Sequence, residues 1–327
     1  MTTVCVLGEG AFGTAIAMLL AENGHKVKLW CYYKDVAQSI LLRRSNPLFL
    51  PDMQLNVLIE PYVSIQEALE GAEYIVEAIP VKYLRSVIMQ ARQFVHPLQK
   101  WIIMSKGIEN ETSMFPTEIL DEVMEAAVLK SVLMGPTFAK EIALRRMSAA
   151  AIASSDIDMQ FAVKALFDNS YFTLDTTDDV IGVQVAGSLK NVIALAVGMI
   201  ESVAPSNNTK ALFLTRALEE IASCITALGG KVETAYGLAG IGDLMMSTYG
   251  TLSRNLEVGR RLGHGESLDS IIQQTGYIPE GINTLNTIPQ LTKSKKIHLP
   301  LCTTLYEIVY EGKSVNGLIN CLRRYTV

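Results

Sequence analysis

The sequence predicts an α/β chain, with a doubly wound parallel sheet in its first half and an all-α second half. Three observations predict it. Short apolar runs alternate with helical patterns from Thr3 to about Asp179, and buried parallel strands read as such continuous runs. A glycine-rich turn, Gly8-Glu9-Gly10-Ala11-Phe12-Gly13, separates the first apolar run from the first helical pattern. Strand signals stop after Asp179, and long amphipathic stretches take over. Two domains are therefore expected, at 1–180 and 181–327, in keeping with roughly 100–200 residues per domain.

The elements follow in order. Thr3–Leu7 reads as a strand. In Thr14–Asn23, Ala15, Ile16, Leu19 and Leu20 fall on one helical face, and Gly24 supplies a left-handed stop. Lys26–Trp30 then completes a strand–helix–strand unit with a right-handed crossover. Further strands are expected at Tyr74–Ile79, Trp101–Met104, Val132–Met134, Ala149–Ala153 and Phe172–Leu174. Gln184–Glu201 is a long helix. Thr209–Leu228 is another, since Leu214, Leu218, Ile221, Ile225 and Leu228 recur at three- and four-residue steps before Gly229-Gly230. Helical stretches near Ser267–Gln274, Leu301–Glu311 and Val315–Tyr325 complete the chain.

Composition narrows the function. The formal net charge of −5 argues against a nucleic-acid binder. Five cysteines without metal-ligand spacing argue against a disulfide framework and for a reducing cytoplasm. The four histidines are scattered, and no metal site is expected. Neither a signal peptide nor an uncharged apolar run of about 18 residues is found, so no membrane insertion is expected.

The glycine turn has the context of a dinucleotide-binding fingerprint of the Rossmann type. Gly8 makes the tight turn, Gly10 admits a pyrophosphate, and Gly13 lets helix and sheet approach. The helix N-terminus adds N–H donors for the anion. An acidic residue about 20 positions on commonly holds an NAD ribose. Here the second strand runs into Tyr32-Tyr33-Lys34, and Lys34 suits a 2′-phosphate, so NAD and NADP both remain open.

Other segments stand out. Ser105-Lys106-Gly107 and Gly135-Pro136-Thr137-Phe138-Ala139-Lys140-Glu141 follow strands, where open α/β sheets bind ligands. Gly187-Ser188-Leu189-Lys190-Asn191 lies on the first helix of the second domain, followed later by Gly240-Ile241-Gly242-Asp243 and Ser253-Arg254-Asn255. In this order, from Val6 to about Gly312, the motifs resemble the NAD(P)-dependent glycerol-3-phosphate dehydrogenases. The resemblance implies interconversion of dihydroxyacetone phosphate and sn-glycerol 3-phosphate, supply of phospholipid synthesis, and a cytoplasmic homodimer.

It implies roles as well. Lys190 matches the family's proton donor and acceptor, and also contacts substrate. Lys106, Gly135, Thr137, Asp243, Ser253, Arg254 and Asn255 match substrate contacts. The cofactor contacts are Gly8, Gly10, Ala11, Phe12, Gly13, Lys34, Lys106, Ala139, Arg254, Ile278 and Glu280. Two departures stand out: Phe12 stacks but cannot donate a hydrogen bond, and Pro279 precedes Glu280.

These residue types suit the chemistry. A lysine near a carbonyl oxygen stabilises the alkoxide and donates its proton, and Lys190 is expected to be largely protonated at neutral pH. Arg254 offers a planar fork for phosphate oxygens, with Ser253 as an N-cap and Asn255 as a further donor. Lys140 and Glu141 read as a solvated pair, and Arg216 and Glu219 as structural. Two alternatives are a 3-hydroxyacid or ketopantoate-type dehydrogenase and a non-catalytic dinucleotide sensor. The first would lack the segments at 135–141 and 253–255, and the second would have lost the lysine at 190.

Overall fold

The computed structural model describes residues 1–125 and 128–325. Eight strands form one sheet: β1 (Thr3–Leu7), β2 (Lys26–Trp30), β3 (Ile59–Tyr62), β4 (Tyr74–Glu77), β5 (Lys100–Ile103), β6 (Lys130–Met134), β7 (Ser148–Ala153) and β8 (Phe172–Thr177). Their order is β3-β2-β1-β4-β5-β6-β7-β8. β1 lies between β2 and β4, with Val4 opposite both Val27 and Tyr74. That is where the strand order reverses, the usual ligand position in such sheets.

The sheet departs from the expected pattern twice. β3 escapes sequence reading because Ile59-Glu60-Pro61-Tyr62 is neither apolar nor alternating. It is an edge strand, where proline costs no ladder bond. β7 runs antiparallel to β6, with Leu133 opposite Ile152. Gly135 permits this return, since a Cβ there would lie 2.6 Å from Ala150 Cα.

The chain forms two compact units. One comprises Met1–Ser105 and Pro116–Val180, and the other Lys106–Phe115 and Ile181–Val327. Sequence reading places 106–115 in the first domain; the fold gives this segment to the second unit. Apolar contacts account for it, because Ile108 and Phe115 are buried in the helical unit's core with Leu189, Val192 and Ile193. The first unit's core packs Ile16, Leu19 and Leu20 with Phe167 and Phe172.

The helical unit is built around Val180–Val203, a 24-residue helix buried from Gly182 to Ile200. By length and composition it could cross a membrane, although Lys190 hides it from a search for uncharged runs. Its apolar surface instead faces its own unit, against Phe213, Ile221 and Ile225 of helix Asn207–Ala227. Helices Asp243–Tyr249 and Glu280–Lys295 were not expected, whereas Arg254–Gly263 starts where the N-cap reading of Ser253 places it. Helix Glu280–Lys295 contains Pro289, which reads as a break in sequence.

A glycine seam joins helices Val180–Val203 and Arg254–Gly263. A Cβ on Gly198 would lie 2.2 Å from the Leu256 carbonyl oxygen, and one on Gly259 2.1 Å from that of Leu195. Only hydrogen at both positions allows this backbone contact.

Candidate active site

Lys190 projects from the buried face of its helix and is 7% exposed. Its Nζ lies 2.9 Å from Asp243 Oδ1 and donates to Ser247 Oγ at 2.8 Å. Lys106 Nζ donates to Asp243 Oδ2 at 2.6 Å. Asp243 is fully buried, where helix Asp243–Tyr249 continues from the π-helical turn Leu238–Gly242. Ser247 follows four residues later, on the same helical face. The ammonium's aligned hydrogen bond goes to Ser247. Asp243 Oδ1 is held by charge and has no aligned donor among the described residues.

Two ammonium groups thus share one carboxylate in a buried place. Burial lowers the Lys190 ammonium to about 8, with Lys106 adding to the fall and the Asp243 charge opposing it. Ser188 sits between the lysine helix and the Lys106 segment: its Oγ lies 2.7 Å from the Gln184 carbonyl and 3.1 Å from that of Gly107, which compete for its one proton.

Ser253 caps helix Arg254–Gly263, its Oγ accepting the Leu256 N–H at 3.3 Å. Arg254 is exposed, with its guanidinium 5.0 Å from the Tyr277 ring centroid. Asn255 does more than offer a donor. Its Nδ2 donates to Asn191 Oδ1 at 2.9 Å and its Oδ1 accepts the Gly281 N–H at 3.0 Å. It brackets three helices, and one hydrogen of its amide is committed there. Glu280 opens helix Glu280–Lys295 directly after Pro279, so the proline ends the loop without disturbing the helix; Ile278 is exposed.

In the first unit, Gly8 has φ +111°, and a Cβ there would lie 2.8 Å from the Ala78 carbonyl oxygen. A Cβ on Gly13 would lie 2.0 Å from the Gly8 oxygen, whereas one on Gly10 would meet nothing within 4 Å. The loop is therefore packed at its ends and open at its middle. Helix Ala11–Glu22 has no side-chain cap at Gly10. An open glycine before an uncapped helix start fits a dinucleotide pyrophosphate. Ala11 and Phe12 are half-buried, and Lys34 is exposed on the first turn after β2. Glu9, inside the loop, accepts the Tyr33 N–H at 2.8 Å. Thr137 is buried and donates to the Gly135 carbonyl at 3.1 Å; Ala139 opens helix Ala139–Ala143. Lys140 and Glu141 are exposed.

Sequence reasoning missed two groups. Ser247 carries no motif of its own. Glu77 ends β4 fully buried. It accepts the Ile79 N–H at 2.6 Å and the Ser105 N–H at 3.3 Å. Ser105 Oγ bridges Glu77 Oε1, at 2.5 Å, and the Ile79 carbonyl. One hydroxyl proton fills one of those gaps, so a proton on the carboxyl completes the bridge. Burial agrees, pushing Glu77 up to about 7 against the hydrogen bonds from Ser105 and Ile79. Among the described residues, no three His, Cys, Asp or Glu side chains are placed to hold a metal.

The chain matches two family profiles: the N-terminus of NAD-dependent glycerol-3-phosphate dehydrogenase over residues 3–160, and its C-terminus over 179–320. A glycerol-3-phosphate dehydrogenase [NAD(P)+] of Bacillus pumilus is 36% identical, over 98% of this chain and 94% of that protein. The crystal structure of a glycerol-3-phosphate dehydrogenase from Coxiella burnetii superposes with a TM-score of 0.94 at 28% identity, covering 99% of each chain. A ketopantoate reductase from Ralstonia eutropha shares the fold alone, with a TM-score of 0.61 at 15% identity over 98% of this chain and all of that one. The chain therefore belongs to the NAD-dependent glycerol-3-phosphate dehydrogenase family.

Proposed function

We propose that this chain interconverts dihydroxyacetone phosphate and sn-glycerol 3-phosphate, using NAD(H) or NADP(H). The buried Lys106–Asp243–Lys190–Ser247 cluster carries the reading. The nicotinamide, when bound, supplies or accepts the hydride. The Lys190 ammonium gives its proton to the oxygen of the reduced carbonyl. With the group lowered to about 8, the charged form dominates about tenfold at pH 7. The neutral amine left behind accepts from the Ser247 hydroxyl, and Asp243 favours its reprotonation. In the oxidative direction the same amine takes the alcohol proton.

Arg254 binds the substrate phosphate with its exposed guanidinium, oriented by Tyr277. Lys106 contributes positive charge beside the reacting oxygen, Asp243 Oδ1 accepts a substrate hydroxyl, and Gly135 and Thr137 supply further substrate contacts. The glycine loop with Ala11 and Phe12 holds the dinucleotide, with Lys34, Ala139, Ile278 and Glu280 as further contacts. The product feeds glycerophospholipid synthesis, and the enzyme works as a cytoplasmic homodimer.

The test follows NADH and NADPH absorbance with dihydroxyacetone phosphate and, separately, dihydroxyacetone. Wild type turns over the phosphorylated ketone. Lys190→Ala loses at least about 100-fold in kcat, the usual share of general acid catalysis. Arg254→Ala raises KM about 10- to 100-fold for the phosphorylated ketone only, as expected for charged hydrogen bonds. A wild-type protein inert with both coenzymes, or an undiminished Lys190→Ala, overturns the reading.

A further inference from the structure

Helix Asp243–Tyr249 carries both groups that hold the Lys190 ammonium; it continues directly from the π-helical turn Leu238–Gly242 and ends at Gly250. Its last carbonyls need donors from elsewhere. Lys210, on helix Asn207–Ala227, supplies one. Its Nζ donates to the Thr248 carbonyl at 2.7 Å and to Glu201 Oε1 at 2.7 Å, and lies 4.0 Å from the Tyr249 ring centroid. Glu201 ends the helix that bears Lys190, and its Oε2 accepts from Arg260 Nε at 2.8 Å. Burial would raise the Glu201 carboxyl, but hydrogen bonds from Lys210 and Arg260 outweigh it and hold the carboxyl below its usual range. The Lys210 ammonium, with its side chain 13% exposed, thus joins the lysine helix to the end of the Asp243 helix.

We propose that Lys210 is a positioning residue for proton transfer: by anchoring the Thr248 carbonyl it sets the last turn of the Asp243 helix and presents Ser247 to Lys190. This rests on the proton-transfer reading of Lys190. Thr248 directly follows Ser247, so a displaced carbonyl at 248 carries the hydroxyl at 247 with it. The Asp243 end of the helix is held differently, through ion pairs with Lys106 and Lys190.

A purely structural role and a positioning role differ in the pH profile. Among the described residues, the charged and polar groups that act on the Lys190 ammonium are Asp243, Lys106 and Ser247. Removing the positive charge of Lys210, with nothing displaced, would raise the Lys190 ammonium. Displacing Ser247 takes an acceptor from the ammonium and lets burial lower it further.

The experiment measures kcat against pH for glycerol 3-phosphate oxidation in wild type, Lys210→Met and Lys210→Arg, with melting temperature and NADH affinity in parallel. The expected result for Lys210→Met is a kcat reduced about tenfold or more, as for a misplaced reacting group. Its acid limb shifts to lower pH, and NADH affinity stays within about twofold. Lys210→Arg keeps the Glu201 pair and restores part of kcat; if Lys210→Met does not fold, the limb is read from this variant. A lowered melting temperature with an unmoved limb, or a limb moved to higher pH, overturns the inference. An inactive wild type, by contrast, indicts the reading of Lys190 itself.

Discussion

At the residue scale, the proposed chemistry rests on one ammonium whose acidity is set by competition. Burial favours the neutral amine, Asp243 favours the charge, and the balance leaves Lys190 near 8. The ordinary lysine value is 10.5. Reduction needs the protonated form, so its kcat is expected to be flat below about pH 8 and to fall above it. Oxidation needs the amine and is expected to rise to about pH 8 and level off. Steady-state rates in both directions between pH 6 and pH 10 check this, and parallel profiles in the two directions contradict it. Lys190, Lys106, Asp243 and Arg254 stand out in the sequence because their motifs are compact. Ser247 and Lys210 do not, since a serine or lysine in a helix is ordinary until tertiary structure shows its partner.

At the element scale, the glycine loop separates packing from binding. Gly13→Ala would drive a methyl into the Gly8 carbonyl at 2.0 Å, while Gly10→Ala would meet no protein atom within 4 Å. Gly13→Ala is expected to lose about 1–3 kcal/mol of stability, the range for overpacking, although alanine is the better helix former by about 1 kcal/mol. Gly10→Ala is expected to fold as wild type and to bind NADH at least about tenfold more weakly, for want of close backbone approach. Thermal melts beside fluorescence titrations separate the two; a destabilised Gly10→Ala with normal affinity would contradict the assignment. Most strands were legible as apolar runs, and the first long helices by their periodicity. β3 and helix Glu280–Lys295 were not, because Pro61 and Pro289 read as breaks, and an edge strand and a packed helix absorb the loss.

At the scale of the whole molecule, titration shapes stability. Glu77 and Glu220 are both buried carboxyls, pushed up to about 7 by burial against the backbone hydrogen bonds they accept. A raised folded value means that their contribution is complete below the ordinary value of 4.5 and is lost as pH rises to about 7. Lys190 acts in the opposite sense. Its depressed value makes its contribution complete above 10.5 and lost as pH falls through about 8. Urea unfolding should therefore show stability declining from pH 4.5 to pH 7 and recovering above pH 8. The first decline amounts to at most about 3 kcal/mol for each carboxyl. Glu77→Leu should flatten the lower slope, and an unchanged slope would contradict its buried protonation. The end of the strands before Asp179 was legible from the loss of strand signals. The excursion at Lys106–Phe115 was not, because no local composition announces which core a short segment will join. That excursion makes the helical half inseparable from the other at the genetic level. A fragment starting at Ile181 would inherit a carboxylate missing one of its two cations and vacant slots where Ile108 and Phe115 belong, so the helical half cannot be recombined as a free-standing module.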